Sequence, residues 1–324
     1  MLVRIFRSNQ PGVLVLLALL VPALFLKHWL AAPPDLSSGM PLARVFMALF
    51  QQVPWAYGTM VALCVASLAI LVSVVMNEAE LTDRRNHLPI LLVPLALALT
   101  VPPGGAGAAF FGLPFVMWAM QRTWSISSGG TALGALFDAG LLLGVAVLFH
   151  VPYAFVLVVV WSSVSVIRPF QWREYLLPVL GLALVCYLGW GVMRLTHLPV
   201  QAPLRTVVGS TIGLGQMPRG HGWSLALLCV PLLLVSALRF MQQYDRGVVR
   251  EQNVRSAFIA FGLTMGLLGA LVRWITGVFP AVFVALPLAM LATFGLLGQR
   301  KAWLGELAVG CLLLLALWIQ YAPG

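Results

Sequence analysis

Trp55-Ala56-Tyr57-Gly58-Thr59-Met60-Val61-Ala62-Leu63-Cys64-Val65-Ala66-Ser67-Leu68-Ala69-Ile70-Leu71-Val72-Ser73-Val74-Val75-Met76 contains no charged side chain. A helix needs roughly 20 mostly apolar residues to cross a hydrocarbon core about 30 Å thick, so this run is long enough to span a bilayer. Similar runs recur on both sides of it, at 12–30, 88–101, 105–121, 133–149, 151–167, 175–194, 223–240, 256–276, 279–297 and 303–320. Charged residues make up 9% of the 324 and hydrophobic residues 61%, with a mean hydropathy of +0.99. A soluble domain carries about 25% charged residues, so this surface is built for lipid. The fold class expected is all-α: a polytopic transmembrane bundle of about eleven spans, forming one integral-membrane domain over 1–324.

Two boundaries in this list are soft. Pro102-Pro103-Gly104-Gly105 separates the third and fourth runs, and no helix continues through it. The chain reverses there in a tight turn or, because 88–101 is short, dips in as a re-entrant hairpin. The fifth and sixth runs are divided mainly by His150 and Pro152. At the start, Arg4 and Arg7 before the apolar run resemble a signal peptide. Ala31-Ala32-Pro33 is a poor cleavage site, so an uncleaved first helix is expected.

Charge bias orients the spans. With a cytoplasmic N-terminus, 13 of the 19 basic residues fall inside and 6 outside, which supports eleven crossings with the C-terminus out. That places the chain in the bacterial cytoplasmic (inner) membrane. The formal charge of +10 sits mostly at the ends of apolar runs. There it orients spans and meets anionic lipid headgroups, and no nucleic-acid partner is implied. The cysteines (Cys64, Cys186, Cys229, Cys311) are scattered within apolar runs without metal-ligand spacing, so neither a metal site nor a cofactor is expected.

Three segments between runs are long. After Pro33-Pro34-Asp35 come Leu42, Val45, Phe46, Leu49 and Phe50, spaced three and four apart, which predicts an interfacial helix near 42–52. An outside loop at 195–222 carries His197, Arg205, Arg219 and His221, and a basic cytoplasmic loop occupies 239–255.

Nine acidic residues are available for chemistry. Asp138, in Phe137-Asp138-Ala139-Gly140, starts an apolar run, where an acid costs roughly 2.5–3.5 kcal/mol on insertion scales. It is expected as a buried acid facing the bundle; the plainer alternative is a helix-start acid held by the macrodipole. The stretch Arg168-Pro169-Phe170-Gln171-Trp172-Arg173-Glu174-Tyr175 breaks the apolar pattern with charges and interfacial aromatics. Arg168, Trp172, Arg173 and Glu174 there form either a structural joint or a lipid-headgroup site. On the opposite face Asp35, His197, Arg205, Arg219, His221 and Arg273 are candidates to converge. Arginine's planar donor fork suits phosphate oxygens, and an aspartate beside it can act as a general base.

Ser8-Asn9-Gln10-Pro11, Asn86-His87-Leu88-Pro89, Phe137-Asp138-Ala139-Gly140 and Phe170-Gln171-Trp172-Arg173-Glu174 resemble stretches of a family of uncharacterised bacterial polytopic inner-membrane proteins. That resemblance covers roughly the first half to 60% of the chain and implies no activity. More distantly, the order of features is similar to GT-C-type membrane glycosyltransferases, which have a cytoplasmic N-terminus and a first outside loop with an interfacial helix and a catalytic acid. The resemblance implies a polyprenyl-phosphate-linked substrate, with Asp35 as the catalytic acid, here without a paired acidic residue. Arg205, Arg219, Arg273, His197 and His221 would bind substrate. A non-catalytic membrane subunit with a protein partner, and a transporter or flippase, are the alternative readings.

Overall fold

The computed structural model describes residues 12–34, 39–82, 85–102, 105–126, 132–195, 221–298 and 302–321, together with Val3, Phe6 and Val207. Among them every regular element is a helix. They run α1 (Val13–Phe25), α2 (Lys27–Leu30), α3 (Pro41–Gln52), α4 (Pro54–Glu78), α5 (Leu88–Thr100), α6 (Ala108–Trp124) and α7 (Leu133–Phe149). A 3-10 turn at Val151–Val156 leads into α8 (Leu157–Ile167), followed by α9 (Trp172–Leu195), α10 (His221–Arg246), α11 (Val249–Thr276), α12 (Val282–Leu297) and α13 (Ala302–Tyr321).

Each apolar run read from the sequence carries a helix. In a medium without water, a helix satisfies its own backbone, which leaves an apolar segment little other choice. Among the described residues, four helices are long and apolar enough to cross a membrane: α4 from Trp55, α9, α11, and α13 from Trp303. The 28 residues of α11 reach roughly 42 Å at 1.5 Å per residue. The central helices are shorter; α5, with 13 residues, covers roughly 20 Å.

From α4 to α13, helices consecutive in the chain alternate in direction, as the side-chain bonds between their ends record. At one end Gln121 of α6 donates to Glu78 of α4 (3.0 Å), and Trp124 Nε1 donates to Ser163 of α8 (3.1 Å). Asn253 near the start of α11 donates to the Val166 carbonyl near the end of α8 (3.0 Å). Arg122, Arg168 and Arg255 also lie here, and we call this the basic end. At the other end Gln320 of α13 meets the last turn of α5, and the Tyr321 hydroxyl donates to Ala23 O of α1 (2.6 Å). Aromatic rings crowd this second, aromatic end.

The closest helix pair is α7 against α9, which run parallel. A Cβ on Gly140 would lie 2.2 Å from the Pro178 carbonyl oxygen, and one on Gly181 would lie 2.6 Å from Phe137 O. Farther along, Gly144 meets Val185 and Gly189 meets Leu148. Small residues let two backbones approach, and in lipid that van der Waals contact is the main force holding helices together.

Two details depart from the sequence reading. The stretch 239–255 is mostly helix rather than loop, with only Gly247 and Val248 between α10 and α11. The polar residues continue both helices because they bond across the turn: Tyr244 OH pairs with Ser256 Oγ (3.0 Å), and Gln252 donates to Tyr244 O (3.2 Å). At the end of α4, Glu80 adopts a left-handed φ of 52°. The Leu81 N–H then reaches back to Met76 O (3.1 Å), closing the helix as glycine usually does.

Gly140→Ala should force α7 and α9 apart and destabilise the protein by about 1–3 kcal/mol. Gly134→Ala on the same helix, where an added Cβ meets nothing within 4 Å, should be neutral or slightly stabilising. Thermal unfolding of the two purified variants checks the contrast; equal melting temperatures would remove the tight crossing.

Candidate functional site

The short central helices leave non-helical backbone inside the aromatic end, where Val101, Ala106, His150 and Ala281 are all buried. Buried backbone polar groups without partners cost free energy, so side chains must serve these junctions. Gln320 Nε2 donates to both Ala98 O and Val101 O at 2.8 Å, capping the free carbonyls of α5. Tyr57 OH accepts the Ala106 N–H (3.1 Å), and Tyr153 OH donates to Ala109 O (2.5 Å).

Some polar atoms here remain open among the described residues. Both ring nitrogens of His150 and the Gln320 Oε1 atom are buried without a hydrogen bond. The His28 nitrogens lie near the backbone of Phe25 and Pro102 but lack hydrogen-bond geometry. His150 packs instead against the rings of Tyr153 (5.8 Å) and Phe283 (5.6 Å).

Helix α3 lies over this region. Phe46 meets Phe111 (5.9 Å) and Phe149 (5.1 Å), while Phe50 meets Phe111 (5.7 Å) and Tyr57 (5.4 Å). The apolar stripe read from the sequence therefore divides. Ala43 and Phe50 are buried against the bundle and Phe46 packs partly there, while Val45 and Leu49 face outward.

Of the residues expected at an outer site, Asp35, His197, Arg205 and Arg219 lie outside the described residues. His221 opens α10. Arg273 is exposed on the last turn of α11, beside the exposed Trp274. The segments that carry the undescribed candidates attach at the aromatic end: Asp35 falls between α2 and α3, and 196–220 between α9 and α10.

The basic end holds the other candidates. Asp138, expected as a buried acid, is half-exposed, with Oδ2 3.3 Å from the Arg122 guanidinium at the end of α6. It lies in the second turn of α7, within reach of the charges at the bundle's rim. Arg168 and Glu174 face each other at 3.5 Å across the α8–α9 corner, and Glu174 is only 2% exposed. Glu174 Oε2 and Arg168 Nε have no hydrogen-bond partner among the described residues. Phe170 and Trp172 project outward, with Arg173 over the Trp172 ring at 5.7 Å. Arg168 is thus turned into the joint, while Arg173 and the two aromatics face the surroundings.

Arg255 was read from the sequence as one charge in a basic segment, yet it is 1% exposed. Nη1 donates to Gln243 O at the end of α10 (2.5 Å), and Nε to Leu81 O beyond α4 (3.3 Å). Nη2 lies 3.4 Å from Glu251 Oε2. One guanidinium therefore joins three chain segments. Gly247 leaves it space, since a Cβ there would lie 2.6 Å from Nη1. Beside it, Asn77 exchanges hydrogen bonds with the Asn86 backbone (2.9 and 3.1 Å), and His87 Nδ1 lies 3.3 Å from Ser73 Oγ. Partial burial lowers the His87 pKa, which favours the neutral ring in this contact.

Sequence reasoning missed His28, His150, Gln320 and Arg255. The first three carry a usable signal, a lone polar side chain within or at the edge of an apolar run. Among the described residues, no group of three or more His, Cys, Asp or Glu side chains comes together to hold a metal. No family model, curated protein or solved structure matches the chain, so the site is read from its own residues.

Arg255→Ala should destabilise the protein by about 3–5 kcal/mol, because Glu251 and two carbonyls lose a buried partner. Arg255→Lys should rescue only part of this, as a single ammonium cannot match the planar fork. Chemical unfolding of the purified chain measures both. A loss under about 0.5 kcal/mol, the range of ordinary surface substitutions, would make Arg255 incidental.

Proposed function

We propose that the chain is a bacterial inner-membrane protein of eleven crossings, N-terminus in and C-terminus out. Its aromatic end faces outward and receives a lipid-linked phosphate or glycan for GT-C-like glycosyl transfer. The observation that carries this reading is the attachment of two long segments, holding Asp35 and His197 to Arg219, at the end where α3 covers buried junctions. Arg273 completes the same end.

In this reading Arg205, Arg219 and Arg273 offset the negative charge of a polyprenyl phosphate. Charge near a membrane is costly without a partner, and the outer segments hold few acids to supply one. His197 and His221 add donors for a sugar or phosphate oxygen. Asp35 takes a proton from an acceptor hydroxyl, leaving the oxygen to attack the sugar carbon as the lipid phosphate departs. Helix α3 shields the reacting groups from water. Transport is a second reading, favoured by interior prolines in α1, α5, α6, α9, α10 and α12, since interrupted helices can line a substrate path.

Two measurements test the proposal. A reporter active only in the cytoplasm should be silent when fused after Gly324 and active after Arg255; activity at both would overturn the topology. Binding of a polyprenyl phosphate should weaken about tenfold in Arg205→Ala and Arg219→Ala, whereas Asp35→Asn should bind normally and fail in transfer. Unchanged binding in all three variants would remove the enzyme reading, and lipid movement without transfer would favour the transporter.

A further inference from the structure

At the basic end, away from the outer segments, α10 and α11 separate above their shared turn. The opening is a laterally open cleft of about 640 Å³, backed by α12. Its walls are apolar: Phe240, Met241, Phe258, Ile259, Gly262 and Leu291 line it. The Tyr244–Ser256 and Gln252–Tyr244 bonds close it off below, and Tyr244 and Asp245 are its polar members. The volume lies within the range of about 300–1,000 Å³ typical of sites that enclose a small organic ligand.

We infer that this cleft holds one acyl chain of an anionic phospholipid, with the headgroup at the α10–α11 turn. The walls offer an apolar chain full contact but give a polar ligand no hydrogen bonds along their length. The charges at the turn select the headgroup. Arg255 and Glu251 pair with each other, and Arg239 and Arg250 stand against Asp245. Arg250 and Asp245 are exposed at the turn. The local surplus is therefore positive, and a cationic surface near the membrane attracts anionic lipid by about 1 kcal/mol per basic residue. A free phosphate would satisfy the arginines but leave the apolar cleft unfilled. The site is independent of the outer end, so it stands or falls separately from the proposed transfer reaction.

Gly262 provides the test. An added Cβ there meets only Pro287 Cβ at 3.7 Å, so a larger side chain can enter the cleft without striking backbone. Native mass spectrometry of the full chain, purified in detergent and titrated with phosphatidylglycerol or phosphatidylcholine, reads occupancy directly. Phosphatidylglycerol should be retained about tenfold better than phosphatidylcholine, and Gly262→Leu should lower its retention about tenfold at an unchanged melting temperature. Arg250→Gln should narrow the preference between the two lipids, and inorganic phosphate should not displace the bound lipid. Equal retention of both lipids, displacement by phosphate, or full retention in Gly262→Leu would each overturn the site. Should Gly262→Leu fail to fold, a phosphatidylglycerol with a photoreactive acyl chain should label wild-type peptides containing Met241 or Ile259. Labelling spread evenly over the lipid-facing helices would count against the proposal.

Discussion

The structure depends on one constraint: every backbone N–H and C=O placed in an apolar surrounding needs a partner within the protein. The four long helices meet it internally. The shorter central helices do not, and their ends are completed by side chains contributed from distant segments. Gln320 serves α5, Tyr57 and Tyr153 serve the chain entering α6, and at the longer α10 Arg255 serves the C-terminal end. These polar residues sit against a large continuous apolar cluster. Replacing any of them with an aliphatic side chain of equal volume would keep the packing and still strand backbone groups.

Much of the helical layout is legible in the sequence because the signal is local. An uncharged run such as 55–76 has one way to satisfy its backbone, and α4 follows. The three-and-four spacing of Leu42 to Phe50 likewise yields α3, with half its stripe against the bundle. Long-range relations are not legible in this way. Gly140 is one of 30 glycines until Pro178 lies against it. Arg255 resembles its basic neighbours until Leu81 and Gln243 present their carbonyls. Asp138 looks costly inside an apolar run, but Arg122 stands beside it at the rim. The outer candidates were legible as residue types only, since residues far apart in the sequence share no periodicity from which convergence can be read.

The two ends also divide the energetic roles. At the basic end, polar side chains largely pair with one another: Arg122 with Asp138, Arg255 with Glu251, Gln121 with Glu78. These pairs set the corners where helices turn. The aromatic end uses rings to fill space and hydroxyl or amide groups to cap backbone, leaving the His150 nitrogens and Gln320 Oε1 with spare hydrogen-bonding capacity. Paired charges at the basic end suit a rigid base.

The Gln320 bonds also bear on the order in which the protein is assembled. They join residues separated by 222 and 219 positions, and the Tyr321 bond to Ala23 spans 298. Chains are synthesised from the N-terminus, so α1 and α5 enter the membrane long before α13 exists. Through most of translation the carbonyls of Ala98 and Val101 lack their final partner, and α5 ends in an uncapped turn. Arrival of α13 converts that open end into a closed one. The bundle is therefore locked by a late-made helix, and quality control acting on a chain still without α13 would encounter polar backbone that its docking conceals.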